Sequence, residues 1–391
     1  MVILIQNYAI FVKMKQAIVS VTNDLTTDQR VDRTCRTLVK AGYEVTLVGR
    51  MRTNSKKTNP RSYRMHRMRL VFDKGPLFYA EYNFRLLLFL CLHRKSLLVS
   101  NDLDSLPANY IAFLLSLLVS KIIPQPLIHL HDCHEYFRGV PELTGRNRVT
   151  AIWKWIEDRI FPKLTRVIAV NNSVAKLYEE EYGNSIQVAR NVPYKKPRQG
   201  TVAKSTLGIR EDQKVILYQG AVNVDRGVEE AILAMKHISS DAIFIVAGIG
   251  DIYEKLIQFT HDQQLSAKVR FLGQVPFESL HGYTLLADLG LSIEKDVSVN
   301  YHFALPNKFM DYIQANVPLL VSPFPEMKAI VDQYQIGEFI GSHEPGKLAA
   351  QFDRMLSHPE NLARYKQNLL KAAEELCWEN EEQVLLNILN E

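Results

Sequence analysis

The sequence predicts two doubly wound α/β domains in tandem, their sheets facing each other across a central cleft. Three observations carry this reading. Short apolar runs alternate with helical patterns along most of the chain. The stretch "VPYKKPRQGTVAKS" (Val192–Ser205), with its prolines and basic residues and no apolar periodicity, breaks that alternation, which then restarts. A chain of 391 residues, 47% apolar and 23% charged, is also too long for one ordinary core and suits two.

In the first half the apolar runs Ala17–Val21, Glu44–Gly49, Leu97–Ser100, Leu127–Leu130 and Arg166–Val170 read as strands, with a weaker one at Met65–Leu70. Between them lie helical patterns at Asp28–Ala41, Leu77–Cys91, Asp104–Leu118, Arg148–Phe161 and Ser173–Tyr182. Strands without polar alternation, separated by helices, predict a parallel sheet covered on both faces. After the break, strands are expected at Lys214–Tyr218, Ala242–Ala247, Val269–Leu272, Leu289–Ile293, Pro318–Val321 and Glu338–Ile340. Their helices are Val228–His237, Tyr253–Gln263, Phe277–Ala287, Lys308–Ala315, Glu326–Tyr334 and Pro345–Leu356. The expected division is residues 1–195 and 196–375, with a last helix near Glu374–Ile388 crossing back to the first domain, so that 376–391 forms its own segment.

Composition removes several function classes. Cys35, Cys91, Cys133 and Cys377 lie far apart with no CxxC pair, which argues against a zinc ribbon or disulfide scaffold and suits a reducing compartment. The net charge is +5, yet Arg50–Leu70 alone holds eight Lys/Arg and no acid. That local patch reads as a solvated loop or as contact with an anionic membrane surface; no nucleic-acid motif accompanies it. "MVILIQNYAIFVK" lacks a basic leader and a clear cleavage site, so the functional chain is expected to begin near Met14, or the extension to be a short arm. "YIAFLLSLLVSKII" (Tyr110–Ile123) is too short to span a bilayer, which needs about 20 apolar residues, and reads as a buried or interfacial helix.

The second half carries the stronger motifs. In "LYQGAVNVDRGVEEAILAM" a strand ends at Gly220, where backbone can approach a ligand closely, and Arg226-Gly227 opens a helix. An arginine there suits phosphate oxygens, though an ordinary surface arginine fits equally. "IVAGIGD" places Gly248 and Gly250 after a strand, but the third glycine of a dinucleotide fingerprint is missing. "LPNKFMDYIQANVPLL" begins a helix at Pro306-Asn307, with Lys308 and Asp311 one turn apart and Asn316-Val317-Pro318 ending it. A helix N-terminus at a sheet's carboxyl edge is an anion site. Lys308 would add charge for a diphosphate, and Asp311 could accept two ribose hydroxyls. The alternative is a surface ion pair.

Arg226-Gly227, "VAGIGD", "FLGQVP" and "LPNKFMDYIQANVPLLVSPFPEM", in that sequence and spacing, resemble the retaining GT-B glycosyltransferases of family 4, with the PNK-(F/L)-x-(D/E)-Y subgroup the nearest in pattern. The similarity runs from about Lys15 to near the chain end. It implies a GT-B fold, with Asp311 on the nucleotide ribose and Arg226 on the diphosphate. The family pattern has a second acid with seven residues between it and the acid at Asp311; eight positions back, Phe303 stands at that place. Gly220-Ala221 stands where Gly-Arg is usual, and Lys308 is the candidate to replace the lost cation.

In the first half, "HLHDCHEYF" holds His131, Cys133, His134 and Glu135. A metal reading is the minor alternative, because neighbouring side chains of an extended segment point oppositely and no partner cluster is evident. The stretch resembles the family's D-x-H-E, which maps the sugar-facing histidine to His134 with Glu135 beside it; a structural histidine is the alternative. Asp28 reads as a helix cap and Arg30 as a side chain reaching acceptor or donor phosphate. Asp102-Leu103-Asp104 mimics a metal-binding DxD, but at a strand end entering a helix it reads as capping.

The resemblance therefore implies transfer of a hexose-type sugar from a nucleotide-diphosphate donor to a hydroxyl of a glycan or lipid-linked glycan, in surface polysaccharide assembly. The catalytic set would be His134, Arg226 and Lys308. The donor site would add Gly220, Gly248, Asn307 and Asp311, and the acceptor or sugar side Arg30, His134 and Glu135. No permanent cofactor and no metal is expected; the nucleotide sugar is a co-substrate. The expected partners are the donor, the acceptor and an anionic membrane through Arg50–Arg69, not nucleic acid. The location would be cytoplasmic, in solution or on the membrane's cytoplasmic face. A sugar-nucleotide 2-epimerase and a non-catalytic sugar-nucleotide-binding module are the alternatives.

Overall fold

A computed structural model describes residues 15–390, apart from 27, 54, 56, 121–125, 141, 142 and 144. The segment 1–13 and Lys56 therefore lie outside the described residues. The first domain runs β1 (Lys15–Ser20), α1 (Gln29–Lys40), β2 (Tyr43–Met51), β3 (Arg64–Arg69), α2 (Gly75–Leu92), β4 (Leu97–Asn101), α3 (Asp102–Ser120), β5 (Ile128–Cys133), α4 (Asn147–Ile160), β6 (Val167–Ala169), α5 (Asn172–Tyr182) and β7 (Gln187–Val188). The second runs β8 (Lys214–Gln219), α6 (Val228–Ala234), β9 (Ala242–Ala247), α7 (Tyr253–Asp262), β10 (Val269–Gly273), α8 (Phe277–Thr284), β11 (Leu289–Ser292), α9 (Val299–His302), α10 (Asn307–Gln314), β12 (Leu319–Val321), α11 (Pro325–Tyr334), β13 (Gly337–Phe339), α12 (Pro345–Ser357) and α13 (Pro359–Glu375). Helix α14 (Trp378–Asn390) closes the described chain.

The first sheet has the strand order β3-β2-β1-β4-β5-β6-β7 and the second β10-β9-β8-β11-β12-β13, with every pairing parallel. The central strands are apolar on both faces: β8 buries Val215, Ile216, Leu217 and Tyr218, and β9 is buried throughout. Each sheet reverses its winding direction once, between β1 and β4 and between β8 and β11. Loops diverge there beyond the carboxyl ends and leave a crevice. The residues after β4, β5, β8 and β11 therefore border the crevices where a ligand would bind, and they include Asp102, His134, Gly220 and Glu294.

Helix α14 lies on α1 of the first domain. Trp378, fully buried, donates from Nε1 to Thr37 Oγ1 at 2.9 Å, and Glu382 accepts from Thr37 Oγ1 at 2.7 Å. Glu381 binds Arg190, while Leu385, Ile388 and Leu389 join the core of the first sheet. Helix α13 was not expected from the sequence. Pro359 opens it, and Tyr365, Leu369, Ala372 and Ala373 form its buried stripe.

The basic segment is not one free patch. It forms the end of β2 and the edge strand β3. Arg67 pairs with Asp24 at 2.8 Å, Arg64 with Glu44 at 2.8 Å and Arg61 with Asp32 at 3.2 Å, and Arg50 stacks on Phe78 at 4.3 Å. The acids that neutralise it come from β2, α1 and the β1–α1 loop, so a local count of charge could not see them.

Candidate functional site

The carboxyl ends of both sheets open on one cleft of about 790 Å³. On its second-domain side Gly220 follows β8 with φ of 120° and lines the cleft. Gly248, after β9, lies against it: a Cβ on Gly248 would stand 1.8 Å from the Gly220 carbonyl oxygen. Only glycine permits that approach of two loops.

Three charged groups meet beside Gly220. Lys308, in the first turn of α10, and Arg226, in the loop before α6, both line the cleft. Both turn toward Glu294, which is 1% exposed just beyond β11: Lys308 Nζ pairs with its Oε1, and Arg226 Nη1 lies 3.6 Å from the same atom. Glu294 Oε2 accepts from Ser292 Oγ at 3.0 Å. Lys308 also sits 4.4 Å over the Tyr218 ring, and the Arg226 guanidinium 4.3 Å over Tyr301. Burial alone would lower the Lys308 pKa and raise that of Glu294, but each charge outweighs this for the other, so lysine is held above and glutamate below its usual range. Arg226 Nε is buried and has no hydrogen-bond partner among the described residues. Two cations against one carboxylate leave a net positive charge at the N-terminus of α10, a setting for a dianion.

Lys308 and Asp311 take different partners in this structure. Asp311 turns to Gln219 Nε2, at 3.1 Å, and to Lys196 Nζ of the interdomain segment, at 2.8 Å. It is 9% exposed and does not line the cleft as Lys308 does. Positions three apart on a helix diverge by about 60°, so Lys308 lies over Tyr218 while Asp311 meets the neighbouring Gln219. Asn307, at the start of α10, accepts from Asn191 Nδ2 of the first domain at 2.9 Å. Asn316 ends the helix in the left-handed region, φ 60°.

The first-domain side is built on His134. Its backbone N–H donates to Asp102 Oδ1 at 2.8 Å. Nε2 lies 3.0 Å from Asn101 Oδ1 and 3.4 Å from Asp132 Oδ2; Nδ1 lies 3.5 Å from Asp102 and 4.0 Å from Asp28. Burial would lower the imidazole pKa, but Asp102, Asp132 and Asp28 together push it up to about 10. The carboxylate cage therefore favours the imidazolium form of the ring over the neutral base. His134 lines both the main cleft and an adjoining recess of about 340 Å³ that Asp28, Arg30 and Asn307 share.

Two expectations change here. Arg30 does not reach outward: 2% exposed, it grips Asp132 through Nε and Nη2, at 2.6 to 3.1 Å, and donates from Nη1 to the Ala189 carbonyl at 2.6 Å. A fully buried carboxylate beside it claims the guanidinium. Asp102 and Asp104 are not simple caps: Asp102, at φ 57°, holds His134, and Asp104 accepts from Thr22 Oγ1. Burial first, then Asp102, raises Asp104 to about 7. Asp28 does cap α1, accepting from Val31 N–H at 3.1 Å. Glu135 lines the cleft and accepts from Asn300 Nδ2 at 3.3 Å, a contact across the domains. The sequence reading passed over Glu294, Asp132 and Asn101; the signal was a polar residue ending an apolar strand, as in "LGLSIE". Among the described residues no group of three or more His, Cys, Asp or Glu is arranged to hold a metal ion.

Residues 28–192 match the family model described as Glycosyltransferase Family 4, and residues 201–372 the model described as Glycosyl transferases group 1. A curated relative, the uncharacterized glycosyltransferase MJ1607 of Methanocaldococcus jannaschii, is 27% identical over 156 residues, 39% of this chain and 38% of that protein. The chain thus matches little more than a third of that relative's length. Among solved structures, sucrose-phosphate synthase from Thermosynechococcus elongatus superposes with a TM-score of 0.75 at 16% identity, over 96% of this chain and 98% of that one. HepE from Anabaena, in complex with UDP, superposes with a TM-score of 0.71 at 13% identity, over 96% and 100%.

Proposed function

On the premise that this chain is a GT-B glycosyltransferase of a family 4-like type, we propose that it moves a hexose-type sugar, with retention of configuration, from a nucleoside diphosphate to a hydroxyl of a glycan or lipid-linked glycan. The observation that carries the donor half is the Arg226–Glu294–Lys308 cluster beside Gly220, at the switch point of the second sheet. HepE, of the same fold, was solved with UDP.

In the proposed reaction the bond between the anomeric carbon and the diphosphate oxygen breaks, and negative charge builds on the diphosphate. Arg226, Lys308 and the amides opening α10 stabilise it as it leaves. The acceptor hydroxyl attacks the same face, and its proton passes to the departing phosphate oxygen. No protein base takes part, which agrees with a protonated His134. That imidazolium instead donates to sugar hydroxyls and orients them. Asp311 takes the ribose hydroxyls after Lys196 withdraws. The reaction runs in the cytoplasm without a metal and serves surface polysaccharide assembly.

The test is a thermal-shift panel of UDP, GDP, ADP and their sugars, followed by product analysis with the donor that binds. Arg226→Ala should cut turnover roughly tenfold or more. Unchanged turnover, or no nucleotide raising the melting point, refutes the assignment. Phe303 in place of an acid favours one second reading, a binding module that holds the donor without transferring it; a donor that binds but is neither transferred nor hydrolysed would establish it. Isomerised donor without an acceptor would instead mark an epimerase.

A further inference from the structure

The outer helices of the first domain carry an apolar face that its own core does not use. Helix α2 is apolar nearly all round, which suits a helix buried on every side. It buries only Phe78, Tyr82, Leu86 and Leu90. The opposite stripe, Leu77, Phe84, Leu88 and Leu92, is exposed, Leu92 by 81%. Helix α3 packs beside α2 and repeats the pattern: Leu103, Leu106, Ala108 and Ala112 face the sheet, while Ile111, Leu114, Leu115 and Leu118 face out. By length and composition α3 could cross a membrane, yet its inner face is held in the protein core, so it lies along the surface. Helix α4 packs beside α3 and adds Ile152 and Trp155, the latter 58% exposed.

The unpaired charges around this face are mainly cationic. The acids of α2 and α4 are neutralised: Glu81 by Arg85, Glu157 by Arg138 and Asp158 by Lys154. Exposed Lys74, Arg94, Arg148 and Arg159 make no ion pair among the described residues, and exposed Asp73 stands next to Lys74 in the chain. On α4 the outward stripe reads Arg148, Ile152, Trp155, Arg159, an apolar centre between cations. A second copy is a poor occupant, because an isologous contact would set this cationic rim against itself. A leaflet with anionic headgroups satisfies both features: acyl chains take the leucines and tryptophan, and phosphates take the rim.

We propose that the α2–α3–α4 face is a docking surface for an anionic lipid leaflet, and that the β3 segment Arg50–Arg69 is not. The inference stands on exposure and charge and does not depend on the donor chemistry. The test is co-sedimentation of the full chain with vesicles of phosphatidylcholine alone or with about 30% phosphatidylglycerol. Binding to the anionic vesicles should be roughly tenfold tighter or more, and the double variant Phe84→Glu/Leu88→Glu should lose it. Arg64→Ala/Arg69→Ala on β3 should leave it nearly unchanged. The thermal shift with UDP is measured on the same samples. A shift retained by Phe84→Glu/Leu88→Glu shows that the variant is folded. A shift absent from every sample would count against the donor reading alone. Failure to bind vesicles, binding that survives the double variant, or a dimer that the double variant dissociates would overturn the proposal.

Discussion

Replacing Lys308 by Met separates two roles that the cluster combines. The side chain keeps its volume and loses its charge, leaving Glu294, 1% exposed, without its closest partner. Breaking a buried pair on one side costs about 3–5 kcal/mol. The low end is expected, because Arg226 Nη1 remains 3.6 Å from the same oxygen. The loss should also depend on pH. A Glu294 left in a buried site has its pKa raised, so the variant's deficit is smaller at low pH, where the carboxyl is protonated, and grows as pH rises. The double variant Lys308→Met/Glu294→Gln carries no uncompensated charge and should recover stability to within about 1 kcal/mol of the parent. It should not recover UDP affinity. One charged hydrogen bond to a phosphate contributes about 1.5–3 kcal/mol, so affinity stays at least roughly tenfold below the parent. Denaturant melts and calorimetric titration with UDP read the two quantities. If the double variant regains both, Lys308 is purely structural. If it is as unstable as the single variant, the pair is not what holds this region.

Three further outcomes follow from the same geometry. Asp311→Asn should weaken UDP binding about tenfold while leaving 2′,3′-dideoxy-UDP unchanged, because only the ribose hydroxyls sense the carboxylate; equal losses for both ligands would remove Asp311 from the ribose site. His134, raised to about 10, stabilises the fold fully below its unfolded pKa near 6.5, and this contribution disappears as pH climbs through 10. Its ring proton resonances should therefore hold constant from about pH 5 to about pH 9, and a titration near 6.5 would contradict the carboxylate cage. Trp378→Ala removes a side chain 1% exposed and should destabilise the chain by about 3–5 kcal/mol in denaturant melts, with α14 losing amide protection first; a change under about 1 kcal/mol would show that α14 does not fasten the first domain.

The fold was legible because its information is local. Runs such as "KVILYQ" and "AIFIVA" need a fully buried parallel strand, and the residues breaking them end the strands close to where the structure does. Helix α13 was missed although Pro359 and the stripe Leu362, Tyr365, Leu369 are present, because those few apolar residues are set among many polar ones in "PENLARYKQ". The site was legible only in its motif residues. Gly220, Arg226, Asn307, Lys308, His134 and Glu135 do meet at one cleft. Their partners come from other elements and loops: Glu294 for Lys308, Lys196 for Asp311, Asp132 for Arg30. A sequence shows that a cation exists but not which carboxylate will face it. Spacing along α10 suggested cooperation between Lys308 and Asp311, and only the surroundings reveal that they turn apart.

The return of α14 to the first domain bears on how the two halves can move. The chain passes between them twice, once on the way out near Asn191–Lys196 and once on the way back near Cys377. These passages are tied together: Trp378 N–H donates to the Pro193 carbonyl at 2.9 Å, and Lys195 pairs with Glu374. Two crossings bonded to each other leave fewer independent degrees of freedom between the halves than a single linker would. Any separation of the halves must therefore act on both crossings together, and it would also break the Asn300–Glu135 hydrogen bond across the cleft.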